Sequence, residues 1–550
     1  MPAVLVTALF SLPVLLGLAG AVLPAFGLMP VLAPGNGFAS LLAEPTLAAS
    51  LRFTVQTGVL ATVCAFLMTL IALVSLSGTR LWRAVQALLP PLLAVPHAAL
   101  AVGLVFLIAP SGFLVRLVSP ELSGWERPPT LWLVPDAGGW TLILGLVLKE
   151  FPFLLLVSIG QLATIDADAA LRIGRSLGYS PARCWSRLIL PQLYPRIRLA
   201  LLVVLGFNLS VVDMALILGP GSPPSLSVLV LQLLQEPGSR AAASAGALVL
   251  LALTLLSYLA VLGLELPVAR VARWRRQDGQ RGQGSRIRRS GGRVMVMASI
   301  ALALGGLLLL PLWSVAQRWR FPDMLPSSYT LREFRDASLF TSAENTLILA
   351  LLVMVLALVA AMSCLEAERR SRFHVPDIFW YLPLLIPQAS LLFGWQAALL
   401  WTGSDERFPA VVHAHWMYAL SYVFLLLAVA WRAQDDNWEL AANSLGAGYW
   451  RTLWRVRLPL LAAPLAQAAA VAVAVSVAQY LPTLLLGAGR YPTLTTDLVT
   501  SFGGLNRRVI AGLALLQSLL PLLAFSLALA LPRRWLPADA GTSAGQVVRA

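Results

Sequence analysis

The sequence predicts an all-α membrane protein: a polytopic bundle of about twelve transmembrane helices, arranged as two parallel repeats of six. Three observations predict this fold class. Hydrophobic residues make up 58% of the 550 residues and charged residues only 12%, whereas soluble domains carry about 25% charged residues. Twelve apolar stretches reach the length of about 20 residues that a helix needs to cross a bilayer. One polar segment occurs twice, once in each half of the chain.

The twelve apolar stretches divide equally between the two halves of the chain. The first stretch follows no basic residues and has no clear cleavage site, so we expect a retained span and not a signal peptide. In the first half the predicted spans lie near residues 3–25, 53–78, 86–109, 139–162, 197–219 and 242–264. In the second half they lie near residues 294–316, 343–364, 379–402, 409–431, 464–487 and 509–531.

Four segments follow from this division. Residues 1–268 form the first transmembrane repeat, 269–293 a basic cytoplasmic linker, 294–535 the second transmembrane repeat and 536–550 a flexible C-terminal tail. The linker holds nine arginines against the single Asp278. Basic loops stay on the cytoplasmic side, so the spacing of the arginine-rich loops puts both termini and both copies of the polar segment in the cytoplasm. Nucleic acid and anionic lipid are the alternative partners for a polybasic segment, but the positive-inside bias alone accounts for its charge.

Several function classes are excluded by motifs that the chain lacks. Of the 40 lysines and arginines only Lys149 is a lysine. It lies in GLVLKEFPF, without the glycines and the Ser/Thr of a P-loop, so if ATP drives this protein another chain must bind it. The three cysteines lie far apart, and no HExxH motif occurs. We therefore expect no enzyme activity, no cofactor and no metal site.

The repeated polar segment reads SLGYSPARCWSRLILP at 176–191 and SLGAGYWRTLWRVRLP at 444–459. Its glycines, Gly178 and Gly446, occupy matched positions, and the offset that relates them also relates Pro224 to Pro492 downstream. One offset held over about fifty residues indicates duplication. Each copy predicts a short helix, a glycine in the left-handed conformation that ends it, and a second short helix.

The second short helix of each copy is expected to present a partner surface. Ser180 is a natural N-cap, and Pro181 suits the first helical position. Pro191 and Pro459 are expected to end the second helix just ahead of the next span. Exposed aromatic residues beside arginines are typical of protein interfaces. A loop anchored in the lipid headgroups is the alternative for one copy, but two copies with one spacing favour a partner with two equivalent sockets. The aromatic residues are Tyr179, Trp185, Tyr449 and Trp450.

The two copies resemble the EAA loop of ABC importer permeases, in which an aliphatic residue and then Leu-Pro follow a glycine at fixed spacing. The whole chain is similar to the fused double permeases of the ferric-iron and thiamine importer type, most closely to the YnjC-like branch. The resemblance implies the type I ABC importer permease fold and a bacterial inner-membrane location. It also implies three partners: two copies of a separate ATPase subunit, a periplasmic or surface solute-binding protein, and the lipid bilayer.

The resemblance also implies which residues couple to the ATPase, through a short helix docked in a groove of that subunit. The family's Glu-Ala-Ala is degenerate here, because residues 172–174 read Arg-Ile-Gly and residues 440–442 read Leu-Ala-Ala. The implied coupling residues are Arg175, Gly178, Tyr179, Ser180, Trp185 and Pro191 in the first copy, and Glu439, Ser444, Gly446, Tyr449, Trp450 and Pro459 in the second.

Polar residues inside spans five and eleven are candidates for a solute pathway, which the family lines with these spans. Ionisable groups in lipid are costly and usually face a cavity, although hydrogen bonds between helices are the alternative. Asp213 would suit a cation or an amine, including ferric iron or thiamine, but the sequence does not name the solute. The candidates are Asn208, Ser210 and Asp213 in span five, and Ser476, Gln479 and Tyr480 in span eleven.

Two further pairs of titratable residues occur in the spans. Lys149 and Glu150 are adjacent in span four, just before Pro152, and we expect a mutually neutralising structural pair at a kink. His413 and His415 lie near the outer end of span ten, where a spacing of two puts them on different helix faces.

A secondary transporter with two parallel repeats, driven by an ion gradient, is the alternative function. It would share the repeat and the buried polar residues. It would not need two matched cytoplasmic segments.

Overall fold

The computed structural model describes residues 2–29, 35–130, 134–236, 238–276, 286–371, 374–403, 408–504 and 506–531. In these ranges the chain is helical apart from turns, loops and one pair of short strands, which confirms the all-α fold class. The centre of the predicted linker, residues 277–285, and the predicted tail, residues 536–550, lie outside the described residues.

The first half contains thirteen α-helices within the described residues. They are α1 (Pro2–Ala25), α2 (Gly37–Leu42), α3 (Leu47–Leu76), α4 (Arg80–Ala94), α5 (His97–Ile108), α6 (Phe113–Leu117), α7 (Trp140–Leu162), α8 (Ala167–Ser176), α9 (Pro181–Cys184), α10 (Leu190–Ser210), α11 (Asp213–Leu218), α12 (Leu226–Gln235) and α13 (Arg240–Arg276). A π-helical turn, Trp185–Ile189, joins α9 to α10.

The second half repeats this order, with a short antiparallel pair of strands, β1 (Ala316–Arg318) and β2 (Ser328–Tyr329), between its first two long helices. A π-helical turn, Leu453–Arg457, here joins α20 to α21. The helices are α14 (Arg286–Val315), α15 (Ala337–Arg370), α16 (Asp377–Leu385), α17 (Gln388–Trp401), α18 (Phe408–Arg432), α19 (Asn437–Ser444), α20 (Tyr449–Thr452), α21 (Leu458–Leu460), α22 (Ala462–Ala478), α23 (Leu481–Gly487), α24 (Leu494–Ser501) and α25 (Arg507–Ala530).

The number of spans agrees with the sequence prediction. Ten helices of the described residues are long and apolar enough to cross a membrane. Two further pairs of helices are bent at a short break: α16 and α17 meet at 88°, and the helix ending with α21 meets α22 at 76°. When each bent pair is counted as one span, the total is twelve, as predicted.

Corresponding elements of the two halves begin at the same sequence offset that relates Gly178 to Gly446. The π-helical turns begin at 185 and 453, and α12 and α24 begin at 226 and 494. The residue ahead of each of these two helices caps it: Ser225 accepts a hydrogen bond from the Val228 amide, and Thr493 accepts one from the Thr496 amide. Local capping chemistry therefore repeats together with the helices.

The first helix of each half packs against the opposite half through glycines. A Cβ on Gly394 of α17 would overlap the carbonyl oxygen of Gly17 in α1, and one on Gly20 would overlap the carbonyl of Gly394. At the equivalent crossing of α5 and α14, a Cβ on Gly103 would lie 2.8 Å from the carbonyl carbon of Gly306. Small residues let helix backbones approach closely in membranes, so glycine pairs interlock the two halves.

Four predicted spans, the third, fifth, ninth and eleventh, are broken helices. Pro96 separates α4 from α5, and Pro387 separates α16 from α17, because proline has no amide hydrogen and restricts the residue before it. Span five breaks at residues 211–212 and span eleven at residues 479–480. Backbone groups at such breaks lose their helical partners, so each break creates a polar position inside the bundle.

Candidate functional site

The two repeated segments, residues 176–191 and 444–459, share one backbone geometry. The φ angle is 81° at Gly178 and 78° at Gly446, so both glycines adopt the predicted left-handed conformation. In each segment the amide after the glycine donates to a carbonyl five residues back, at 2.9 and 3.0 Å. This is the closing hydrogen bond of a Schellman motif, which ends α8 and α19 at matched positions.

Pro191 and Pro459 do not end the second helix as predicted. In the first segment a π-helical turn precedes the proline, and one helix continues from Pro181 to Ser210. In the second segment the chain bends two residues beyond Pro459, at Leu461. The wider π-helical turn accommodates the proline ring, which would clash with a carbonyl four residues back in an α-helix.

Exposed apolar side chains lie on both segments, although they differ in part from those predicted. Trp450 is 68% exposed, as expected. Trp185 is only 5% exposed, so its prediction as an exposed aromatic tip is wrong, because the π-helical turn directs it into the core. Leu177 and Leu445 are exposed immediately before the two glycines, and Trp454 is exposed in the second segment. The repeated Ser-Leu-Gly was the sequence signal for these leucines.

Other predicted coupling residues of the second segment are held by the end of α15. The guanidinium of Arg370 lies 3.4 Å from the centroid of the Tyr449 ring. Glu439 forms an ion pair with Arg369, which also pairs with Asp436. The carboxylate that the resemblance implies for the ATPase is therefore engaged within this chain.

The remaining predicted residues of the segments lie at the surface or at helix ends. Arg175 and Ser444 are exposed. Ser180 occupies the predicted N-cap position of α9, but its side chain makes no capping hydrogen bond. Tyr179 is half-buried, with the guanidinium of Arg187 5.7 Å from its ring centroid.

The polar residues predicted in span five lie around residues 211–212, the break between α10 and α11, which we call the first-half break. The amide nitrogen of Asn208 donates to the Thr62 hydroxyl at 3.0 Å, while its buried Oδ1 has no partner among the described residues. The Ser210 hydroxyl donates to the Gly206 carbonyl within the same helix. Asp213 is buried at the first turn of α11. The break places Asp213 where a straight helix would have continued.

The polar residues predicted in span eleven lie at residues 479–480, the break between α22 and α23, which we call the second-half break, or just before it. Gln479 is buried, and neither Nε2 nor Oε1 of its side chain has a hydrogen-bond partner among the described residues. Tyr480 beside it is also buried. His415 of α18 bridges the break, because its ring hydrogen-bonds with Ser476 of α22 at 3.0 Å and with Thr483 of α23 at 2.8 Å. Periodicity could not reveal this role, since the partners lie on helices far along the chain.

Lys149 and Glu150 attract each other electrostatically, as predicted, but their direct hydrogen-bond partners lie elsewhere. The ammonium of Lys149 donates to the carbonyl oxygens of Leu93 and Val95, at 3.0 and 2.5 Å. Glu150 instead lies 3.4 Å from Nε2 of His97. Adjacent residues on a helix point in different directions, so each charge finds a different neighbour. Both His97 and Lys149 interact electrostatically with the Asp213 carboxylate.

The two histidines of α18 act separately. His413 hydrogen-bonds with the Leu9 carbonyl of α1 at 2.9 Å, whereas His415 hydrogen-bonds with residues on both sides of the second-half break. Within the described ranges no group of three or more His, Cys, Asp or Glu side chains could hold a metal ion.

A cavity of about 730 Å³ lies beyond the first-half break, on the side opposite the repeated segments. Its walls come from α5, α11, α12 and the loop after α11, together with residues 502, 503 and 507 of the second half. Arg507 is the charged side chain among the described lining residues, and it donates to the Ser111 hydroxyl at 3.0 Å. A mainly apolar cavity at the junction of the two halves suits the entrance of a solute pathway.

A bundle of twelve spans in two repeats, with matched segments on one side and polar breaks near its middle, defines a membrane permease. No family model matches the chain. It is 32% identical over 504 residues to the inner membrane ABC transporter permease protein YnjC of Escherichia coli (strain K12), with 90% of this chain and 90% of that protein covered. The chain therefore belongs to the ABC transporter permease family.

Family membership confirms several predictions. The chain is a multi-pass permease subunit of an importer in the inner membrane, and its resemblance to the YnjC-like branch is confirmed. Such permease subunits are not catalytic, and ATP is hydrolysed by a separate ATPase subunit. The ATP-driven class is thus favoured over a secondary transporter driven by an ion gradient.

Proposed function

We propose that this chain forms the complete solute pathway of its importer and couples to the ATPase through both repeated segments. The observation that carries the proposal is the matched pair of left-handed glycines, Gly178 and Gly446, each preceded by an exposed leucine. A dimeric ATPase offers two equivalent grooves, and two equivalent segments fit them. Leu177 would enter one groove, and Leu445 with Trp450 would enter the other.

The helix that follows the first segment suggests how movement reaches the pathway. One continuous helix runs from Pro181 to Ser210. A push on the segment is therefore transmitted along the helix to the break that holds Asp213. Closure of the ATPase dimer over ATP would move both segments and so swing the halves between inward-facing and outward-facing states.

The solute would pass between the two polar breaks. The side-chain amide of Gln479 and the Oδ1 of Asn208 have no partner among the described residues, and a solute could satisfy these buried groups, because unpaired polar groups are costly inside a protein. The carboxylate of Asp213 favours a cation or an amine. A periplasmic binding protein would release the solute to the 730 Å³ cavity, with both termini of this chain in the cytoplasm.

The composition of the complex tests the fused arrangement. Because one chain supplies both halves and both segments, the purified importer is expected to contain one copy of it and two ATPase subunits. Native mass spectrometry of the detergent-solubilised complex measures this ratio directly. A complex with two copies of this chain for each ATPase dimer would refute the proposal that one chain forms the whole pathway.

Removal of the buried charge tests the pathway. Asp213→Asn is expected to lower solute uptake by roughly tenfold or more, since hydrogen bonds to charged groups contribute about 1.5–3 kcal/mol. Co-purification with the ATPase should be unchanged. Asp336→Asn, which alters an exposed acid at the start of α15, is the control. Uptake at the wild-type rate in Asp213→Asn would assign Asp213 a structural role beside Lys149.

A further inference from the structure

Two proline breaks leave backbone carbonyls without helical partners inside the bundle. In a continuous helix the carbonyl of each residue accepts from the amide four residues on. This pattern stops at Pro96 between α4 and α5, and at Pro387 between α16 and α17. Water is scarce at membrane depth, so another donor must satisfy such carbonyls.

At the bend between α4 and α5 the donor comes from the same half. Lys149 of α7 donates to the carbonyl oxygens of Leu93 and Val95, as described above. The ammonium group also lies at the C-terminal end of α4, where the helix dipole stabilises a positive charge. The bend between α4 and α5 is therefore held internally.

At the bend between α16 and α17 the donor comes from the opposite half. The hydroxyl of Tyr258, in α13, donates to the Leu385 carbonyl at the end of α16, at 2.9 Å. The phenol packs among Leu202, Leu205 and Leu209 of α10. A Cβ on Gly206 would overlap the Tyr258 hydroxyl. The lack of a side chain at Gly206 therefore leaves the space in which the Tyr258 hydroxyl reaches the Leu385 carbonyl.

We propose that Tyr258 is a positioning residue that ties the bend of the second half to α10 and α13 of the first half. The tie holds the halves in the arrangement described here, and its release accompanies their relative movement during import. This second step rests on the proposed function. Among the described residues the bend between α4 and α5 has no such tie to the second half, because its carbonyls accept hydrogen bonds from Lys149 of the first half. The two bends are thus held differently although the helices repeat.

The tie is tested on the full chain without its partners. Spin labels at Leu259 of α13 and Ile378 of α16, both exposed, report the separation of these helices in a variant lacking Cys64, Cys184 and Cys364. One hydrogen bond contributes about 1 kcal/mol, so Tyr258→Phe is expected to raise the population with separated helices about fivefold.

Two further variants make this test specific. Gly206→Ala keeps the hydroxyl but blocks its path, and it should shift the distance distribution in the same direction. Tyr194→Phe removes a hydroxyl that also bonds to α13, at Glu265, but within the first half; it should leave the distribution unchanged. An unchanged distribution in Tyr258→Phe, or an equal shift in Tyr194→Phe, would overturn the tie.

The functional step is measured separately in the importer assembled with its ATPase. Tyr258→Phe is expected to raise ATP hydrolysis in the absence of solute severalfold, while loss of one hydrogen bond lowers the thermal unfolding midpoint only slightly. A purely structural tyrosine would lower the midpoint and leave solute-independent hydrolysis unaltered. Separated helices with unaltered hydrolysis would refute the role in import while leaving the tie itself established. The distance measurement decides the tie even if the chain fails to couple to an ATPase.

Discussion

Gly394→Ala is expected to prevent stable packing of the two halves. A single methyl group at this position would overlap the backbone carbonyl of Gly17, and it would also press on the Ala21 amide at 2.6 Å. Backbone atoms cannot move aside as a flexible side chain can, so overpacking here should cost about 3 kcal/mol or more. The thermal unfolding midpoint in detergent, and the yield of monodisperse protein, should both fall sharply.

The control substitution is expected to leave the stability of the protein unchanged or to raise it. Gly263→Ala lies within α13, where a Cβ would meet nothing within 4 Å. Alanine favours a helix over glycine by up to about 1 kcal/mol, so this variant should be at least as stable as the wild type. Equal midpoints for Gly394→Ala and Gly263→Ala would contradict the close crossing of α1 and α17.

Gly178→Asp and Gly446→Asp are expected to uncouple the permease from its ATPase while leaving it folded. Both glycines have positive φ angles, which cost a residue with a side chain roughly 1–2 kcal/mol. A bundle of this size tolerates that cost, but the turn that aims Leu177 or Leu445 would change direction. Each variant should insert in the membrane yet lose co-purification with the ATPase or solute-stimulated ATP hydrolysis, and the double variant should be inactive.

The second segment offers a matched control two residues away. Gly448 has a φ of −72°, and a Cβ there would meet nothing within 4 Å. Gly448→Asp therefore adds the same charge to the same loop without backbone strain, and it should retain ATPase binding. If both single glycine variants bound the ATPase and transported normally, the repeated segments would be headgroup anchors and not coupling elements.

The sequence predicted the features that depend on local chemistry. The class and the number of spans follow from apolar composition, because lipid admits only segments whose backbone groups bond internally. The left-handed Gly178 and Gly446 follow from the helix-ending role of glycine. The polar positions around Asp213 and Gln479 were also located, since a polar residue inside an apolar run is visible without a fold.

The failures concern residues whose surroundings are assembled from distant parts of the chain. Trp185 was expected at the surface, but a π-helical turn of five residues directs it inward. Pro191 was expected to end a helix that continues through it. Lys149 was paired only with its sequence neighbour, and the carbonyls at the end of an earlier helix, which accept its hydrogen bonds, were missed.

A duplicated membrane bundle with two matched segments and polar spans could be predicted from composition, spacing and glycine positions, because these act locally. The interlocking of the halves at Gly394, the bridging of a break by His415 and the reach of Tyr258 to a carbonyl of the opposite half are visible only in the folded protein. These arrangements depend on which backbone group lies within hydrogen-bonding or van der Waals distance of which side chain. Helices far apart in the chain meet only when packing has removed lipid and water from between them, and no local pattern encodes that meeting.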